Sequence, residues 1–160
     1  MKSLKRLKLD HNQLERINGG TLTGLVSLEE LYIGSNQLGK IESGSFDGLI
    51  HLRKLSLDSN NITTIETDSF RSLENLVELD LSDNELTRIE SSLFASLSRR
   101  LENIDLSRNR IDTLGSNVFT GLNSLLRINL ASNSLRSIEP GTLSQLGGKL
   151  TEIDLGFNEL

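Results

Sequence analysis

Serine, histidine and aspartate are the residue types of a nucleophilic triad. His11, Ser35 and Asp58 would come to lie on adjacent strands if the chain coils on a period of about two dozen residues. A triad needs more than residue types. Its base must reach the nucleophile, and fixed donors must await the oxyanion, whereas these three residues sit on a flat, wet surface. The same period places Asp80 beside Asp105, where two carboxylates could share a calcium ion, although a stacked pair of exposed acids accounts for them as well. The second histidine, His51, falls in a different part of the coil. The sequence has no cysteine, no His-x-x-x-His, no Gly-x-Ser-x-Gly and no glycine-rich phosphate cradle. No catalytic residue, metal ligand or cofactor is therefore assigned, and the chain is expected not to be an enzyme.

Composition narrows the classes further. Hydrophobic residues make up 36% of the 160 positions and aromatic residues only 4%, so the apolar content is carried by leucine. Such a bias suggests repetition. A net charge of -5 offers no basic field for phosphates, which speaks against a nucleic-acid partner. No apolar run approaches the roughly 18 residues that a bilayer span requires, so direct membrane insertion of this segment is not expected. The absence of cysteine suits oxidising and reducing compartments alike.

One motif organises the chain: Leu28-x-x-Leu31-x-Ile33-x-x-Asn36-x-Leu38-x-x-Ile41, followed by Phe46 and Leu49, with Leu52 opening the next copy. Its asparagines fall at Asn12, Asn36, Asn60, Asn84, Asn109, Asn133 and Asn158, in steps of 24, 24, 24, 25, 24 and 25 residues. Both longer steps add their residue at one point, before Leu101 in Ser98-Arg99-Arg100 and before Leu150 in Gly147-Gly148-Lys149. That point is a loop. The array divides into residues 1–3, the end of a preceding repeat, then 4–27, 28–51, 52–75, 76–100, 101–124, 125–149 and a partial 150–160. Because both ends fall in mid-repeat, the chain is expected to be an interior slice of a longer array.

Each motif position has a physical task. In Leu-x-x-Leu-x-Leu the last two apolar residues are two apart, so they share one face of a short strand and the residue between them faces solvent. The strand of the next repeat must lie beside it in parallel, because the chain returns only after a further turn of about 18 residues. Asparagine carries both an acceptor and two donors, so buried at the sharp turn it can satisfy backbone groups of its own and the adjoining coil. A second column, Leu22, Phe46, Phe70, Phe94, Phe119 and Leu143, is expected to stack as a spine and holds four of the five phenylalanines. The segments around it, such as Thr67 to Leu73, predict one helical turn or a 3₁₀ piece whose start Asp68 or Ser69 can cap.

These residues resemble the leucine-rich repeat family over the whole chain, in its 24-residue typical subtype with phenylalanine in the spine. The resemblance implies an α/β fold. It is a right-handed, horseshoe-shaped solenoid with a parallel β-sheet on the concave face and short helical, 3₁₀ or irregular segments on the convex face. Repeats of this kind belong, by resemblance, to animal cell-surface receptors, adhesion proteins and matrix proteoglycans, including Toll-like, Slit-like and chaoptin-like molecules. The chain departs from them in lacking a cysteine-rich cap at either end.

A partner would bind on the solvent side of the sheet. The central column there is Lys8, Tyr32, Ser56, Asp80, Asp105, Asn129 and Asp154, flanked on one side by Arg6, Glu30, Lys54, Glu78, Asn103, Arg127 and Glu152. Seven strands about 4.8 Å apart span roughly 30 Å, suited to a protein rather than to a small molecule. Lys8, Tyr32, Ser56, Glu78, Asp80, Asp105, Asn129 and Asp154 are the candidate ligand-binding residues. Basic residues cluster at Lys5, Arg6 and Lys8 and acidic ones in the later repeats, a pattern that would select a basic partner or simply keep the sheet solvated. Tyr32 and Phe157 are the aromatic anchors expected on this face. Asn61-Ile62-Thr63 is the one glycosylation sequon, with Asn61 just after ladder residue Asn60 and pointing outward.

The function expected is a non-catalytic protein-interaction module, part of an extracellular or cell-surface ectodomain that binds a protein ligand or a cell-surface partner. An intracellular scaffold or adaptor in the cytoplasm is the alternative.

Overall fold

The computed structural model describes residues 1–97 and 99–160; of the insertion at 98–100, Ser98 lies outside the described residues. Among the described residues, eleven strands fall into one large sheet and two small pairs. β1 (Arg6–Lys8), β2 (Glu30–Tyr32), β4 (Lys54–Ser56), β6 (Glu78–Asp80), β8 (Asn103–Asp105), β10 (Arg127–Asn129) and β11 (Glu152–Asp154) form one seven-stranded sheet in that order. Every pair is parallel and in step with the repeat: Leu7 lies opposite Leu31, Leu31 opposite Leu55, Leu79 opposite Ile104 and Ile128 opposite Ile153. Parallel neighbours require a crossover, and here one coil of the repeat supplies it.

The strands are only three residues long because the motif turns sharply after them. The residue before each ladder asparagine adopts left-handed backbone: His11, Ser35, Ser59, Asp83, Arg108, Ser132 and Phe157 have φ between 52° and 57°. None is glycine, so each carries the steric penalty of that conformation. The asparagine that follows offsets it. In Asn60 the amide nitrogen donates to Leu57 O (3.0 Å) and Asp58 O (3.2 Å) of its own turn and to Ile33 O (3.1 Å) of the preceding coil, while its Oδ1 accepts from the Leu38 N–H (3.0 Å). The same pattern holds from Asn36 through Asn133, each of which is less than 9% exposed.

Across the coil from the sheet, shorter strands pair locally, β3 (Lys40–Ile41) with β5 (Thr64–Ile65) and β7 (Arg88–Ile89) with β9 (Thr113–Leu114). Between the two sides lies a continuous core of leucine and isoleucine. The phenylalanine spine is sealed within it, with Phe46, Phe70, Phe94 and Phe119 at 0% exposure. Phe46 and Phe70 stack with centroids 6.1 Å apart and ring planes 19° from parallel. Leu143 departs from the expected column: it is 37% exposed in the last coil, where Thr142 is buried instead.

Helix is scarce among the described residues, two 3₁₀ pieces at Ala95–Leu97 and Leu143–Gln145, and the remaining convex segments are hydrogen-bonded turns. Thr67 to Leu73 is such a turn series. Ser69 is not a solvent-side cap. It is buried, and its hydroxyl donates inward to Ile41 O of the preceding coil (3.1 Å) and to Glu66 O (2.6 Å). Ser45 bonds Ile17 O in the same way (3.1 Å), so a short serine ladder ties the convex side where the asparagines cannot reach.

Candidate binding face

Strand alternation decides which side chains stand on the sheet's open face. In β2, β6 and β8 the middle residue is buried and its neighbours are half-buried, so the columns of Glu30 and Tyr32, Glu78 and Asp80, Asn103 and Asp105 project outward. Lys8 and Asp154 are exposed at either end, and Asn129 is half-buried. Ser56 differs from the expectation of a solvent-facing contact. It is only 7% exposed, because its short side chain lies between the longer Tyr32 and Asp80 of the flanking strands and its hydroxyl is turned to Asp58 Oδ1 (2.5 Å).

The early strands carry a cationic and aromatic cluster. Arg6 grips Glu30 with two bonds, Nε to Oε2 (2.5 Å) and Nη2 to Oε1 (2.7 Å), and the Tyr32 hydroxyl donates to the same Oε2 (2.8 Å). These donors hold the Glu30 carboxyl down to about 2, the Arg6 bond being the larger cause. Burial, with Glu30 beside it, pushes the Tyr32 hydroxyl up. Lys8 and Lys54 place their ammonium groups 5.4 and 6.0 Å from the centroid of the Tyr32 ring, within cation–π range. Lys54 is also paired with Glu78 (2.6 Å).

The later strands carry the opposite sign. A groove of about 420 Å³ opens over β4 to β11, with Glu78, Asp80, Asp105, Asn129 and Asp154 among the residues that line it. In this column the side-chain oxygen folds back onto the turn: Asp80 accepts from Ser82 N–H (3.0 Å), Asp105 from Ser107 (2.9 Å), Asn129 from Ala131 (3.0 Å) and Asp154 from Gly156 (2.8 Å). Sequence reasoning missed this use of the aspartates. The signal was present, since an Asp or Asn two residues ahead of a turn amide is the side-chain-to-backbone pattern that closes such turns. Burial raises the Asp80 carboxyl above its ordinary range, against the bonds from Ser82 and with Asp58 and Asp105 adding to the rise.

The other singled-out residues separate. No hydrogen bond joins the side chains of His11, Ser35 and Asp58; the Ser35 N–H goes instead to the main-chain oxygen of Asp58 (2.9 Å). Among the described residues no group of three or more metal-competent side chains is assembled. His51 places Nδ1 2.8 Å from Val26 O on the flank of the coil. Phe157 is 90% exposed but occupies the left-handed turn position rather than the strand, so it stands at the sheet's margin instead of on its face. Asn61 is exposed on the turn flank, its main-chain N–H bonded to Leu38 O (3.0 Å), and the Thr63 hydroxyl donates to Gly39 O (3.2 Å).

A parallel-sheet solenoid with an asparagine ladder and an open polar sheet is the architecture of a repeat-built interaction module. The chain belongs to the leucine-rich repeat family: residues 39–159 match the BspA type leucine rich repeat region (6 copies), and residues 2–60 match a leucine rich repeat model. No curated protein matches it. Among solved structures it is similar to a chain of a TLR13–ssRNA13 complex, at 31% identity and a TM-score of 0.90, over 97% of this chain and 23% of that one. It shares its fold with the APL1 leucine-rich repeat domain, at 24% identity and a TM-score of 0.84, over 98% of this chain and 39% of that one. The chain thus spans well under half the length of either. Among the described residues no helix is long and apolar enough to cross a membrane.

Proposed function

We propose that this array is a non-catalytic module of the 24-residue typical subtype, part of an extracellular receptor or cell-adhesion ectodomain whose protein ligand lies across the concave sheet. The observation that carries the reading is the face itself, seven strands in strict register that hold outward-facing charged and aromatic side chains on a ladder-stiffened scaffold. Lys8, Tyr32, Glu78, Asp80, Asp105, Asn129 and Asp154 form the contact surface. Ser56 supports it from beneath. The period and the phenylalanine spine support the subtype, and the exposed sequon at Asn61 supports a secreted, glycosylated setting in which the sugar projects from a flank and leaves the sheet free.

The similar TLR13 chain is in complex with single-stranded RNA. Here the central column carries Asp80, Asp105 and Asp154, which repel phosphate, so a protein ligand is the better match. The test is expression of the full-length parent in secretory cells, with a glycosidase mobility shift and mass mapping at Asn61. A glycan there, together with ligand capture on an ectodomain panel that Tyr32→Ala abolishes, is the expected result. A parent retained in the cytosol would overturn the extracellular placement and make an intracellular scaffold the working reading.

A further inference from the structure

In the later strands the turn is closed by a side-chain oxygen of the central column, and a charge is not needed for it. Asn129 accepts the Ala131 N–H at 3.0 Å as Asp105 accepts that of Ser107 at 2.9 Å and Asp154 that of Gly156 at 2.8 Å. The turns therefore do not call for the negative charges at 80, 105 and 154, although Asp105 uses its second oxygen to accept from Asn129 Nδ2 on the next strand (3.2 Å). Those at 80 and 105 are also unfavourable to the fold, because Asp80 and Asp105 are direct cross-strand neighbours and like charges so placed repel. Nor are they neutralised. The flanking glutamates have cations, Glu78 paired with Lys54 (2.6 Å) and Glu152 with Arg127 (3.1 Å), whereas among the described residues no ion pair reaches Asp80, Asp105 or Asp154. The groove thus has walls of compensated charge and a floor of uncompensated charge.

The face changes sign along its length. Over β1 to β4 the central column presents Lys8 against Tyr32, and among the described residues Lys8 has no carboxylate partner either. We propose that the ligand engages this face through an extended basic segment, whose Lys or Arg side chains seat over Asp80, Asp105 and Asp154 while its less basic end lies toward Lys8 and Tyr32. The inference rests on the concave-face reading above and adds to it the chemistry and direction of the partner. A bare metal ion fits less well, since no ligand shell of three or more suitable side chains is assembled among the described residues. Guanidinium and ammonium groups carried on a peptide at about 6.5 to 7 Å per two residues can instead meet carboxylates set one or two strands apart.

The experiment uses three fluorescein-labelled probes of one length on the full chain, a Gly/Ser-spaced Arg peptide, its Glu counterpart and its Ser counterpart. Anisotropy titrations are paired with carbodiimide footprinting of the carboxylates. The Arg peptide should bind and protect Asp80, Asp105 and Asp154. The double variant Asp80→Asn/Asp154→Asn, which keeps both turn acceptors, should weaken it by at least about tenfold, while Glu90→Gln on the far side of the coil should stay within about twofold. Urea unfolding of the double variant, at least as stable as the parent chain, separates lost binding from lost folding. No binding of the Arg peptide, or binding indifferent to the double substitution, would overturn the proposal. Equal protection of the sheet by the Ser or Glu peptide would overturn the basic chemistry and leave the concave-face reading standing. Protection confined to Glu66 and Glu90 would overturn both.

Discussion

The side-chain amide of Asn84 donates across the coil boundary to the main-chain oxygen of Leu57, 3.0 Å away and 27 residues earlier. The same nitrogen serves Leu81 O (3.1 Å) and Ser82 O (3.0 Å), and its Oδ1 accepts from Ile62 N–H (3.0 Å). Replacing Asn84 with Ala strands these buried backbone groups. We expect a loss of about 1 to 3 kcal/mol in urea unfolding, with hydrogen exchange quickening first in the coils on either side. A neutral substitution would sink the ladder as a source of stability.

The stacked rings of Phe46 and Phe70 give a second handle. Phe70 is fully buried, so Phe70→Ala should cost about 3 to 5 kcal/mol and Phe70→Leu markedly less, read as changes in the urea midpoint. If both substitutions cost the same, the ring contributes no more than any apolar filler.

Asp80 and Glu30 should give opposite limbs of the acid stability profile. The Asp80 carboxyl is raised on folding, so the folded chain holds that proton more tightly than the unfolded one. Its ionisation therefore destabilises, and its contribution falls as pH rises from the ordinary aspartate range through the raised folded value. Asp80→Asn should stabilise the chain at neutral pH and remove that limb, which paired urea titrations at pH about 3 and 7 would read. An Asn variant less stable at neutral pH would show that the charge is needed.

Glu30 runs the other way. Its carboxyl is held down to about 2, so its contribution is present above the ordinary value of 4.5 and is lost as pH falls toward 2. In a carbon-detected NMR titration the Glu30 midpoint should lie near 2 and climb toward the ordinary value in Arg6→Gln, where its main donor is gone. A midpoint unmoved by Arg6→Gln would assign the shift to Tyr32 instead.

Gly147 tests the loop insertion. A Cβ there would stand 2.8 Å from the main-chain Cα of Asn123, and backbone cannot swing aside as a side chain can. Gly147→Ala should destabilise the last coil by about 1 to 3 kcal/mol, seen as local loss of exchange protection around residues 142–155. Gly148→Ala, which meets nothing within 4 Å, is the control.

The period, the leucine positions and the asparagine column were legible in the sequence because a coil that stacks on its own copy must repeat its buried residues at a constant interval, so the architecture follows from spacing alone. What tertiary contact decided is of a different kind. The left-handed residues before each asparagine run His, Ser, Ser, Asp, Arg, Ser and Phe, and no common residue type announces a conformation imposed by the turn. Ser56 reads as a surface residue from alternation, yet larger neighbours one strand away on either side cover it. Leu143 occupies the spine by count but stays exposed in the last coil. The two central-column roles, turn acceptor and free charge, separate only when Asn129 is seen making the bond that Asp105 makes, because a sequence names side chains while their partners are set by the neighbouring coil.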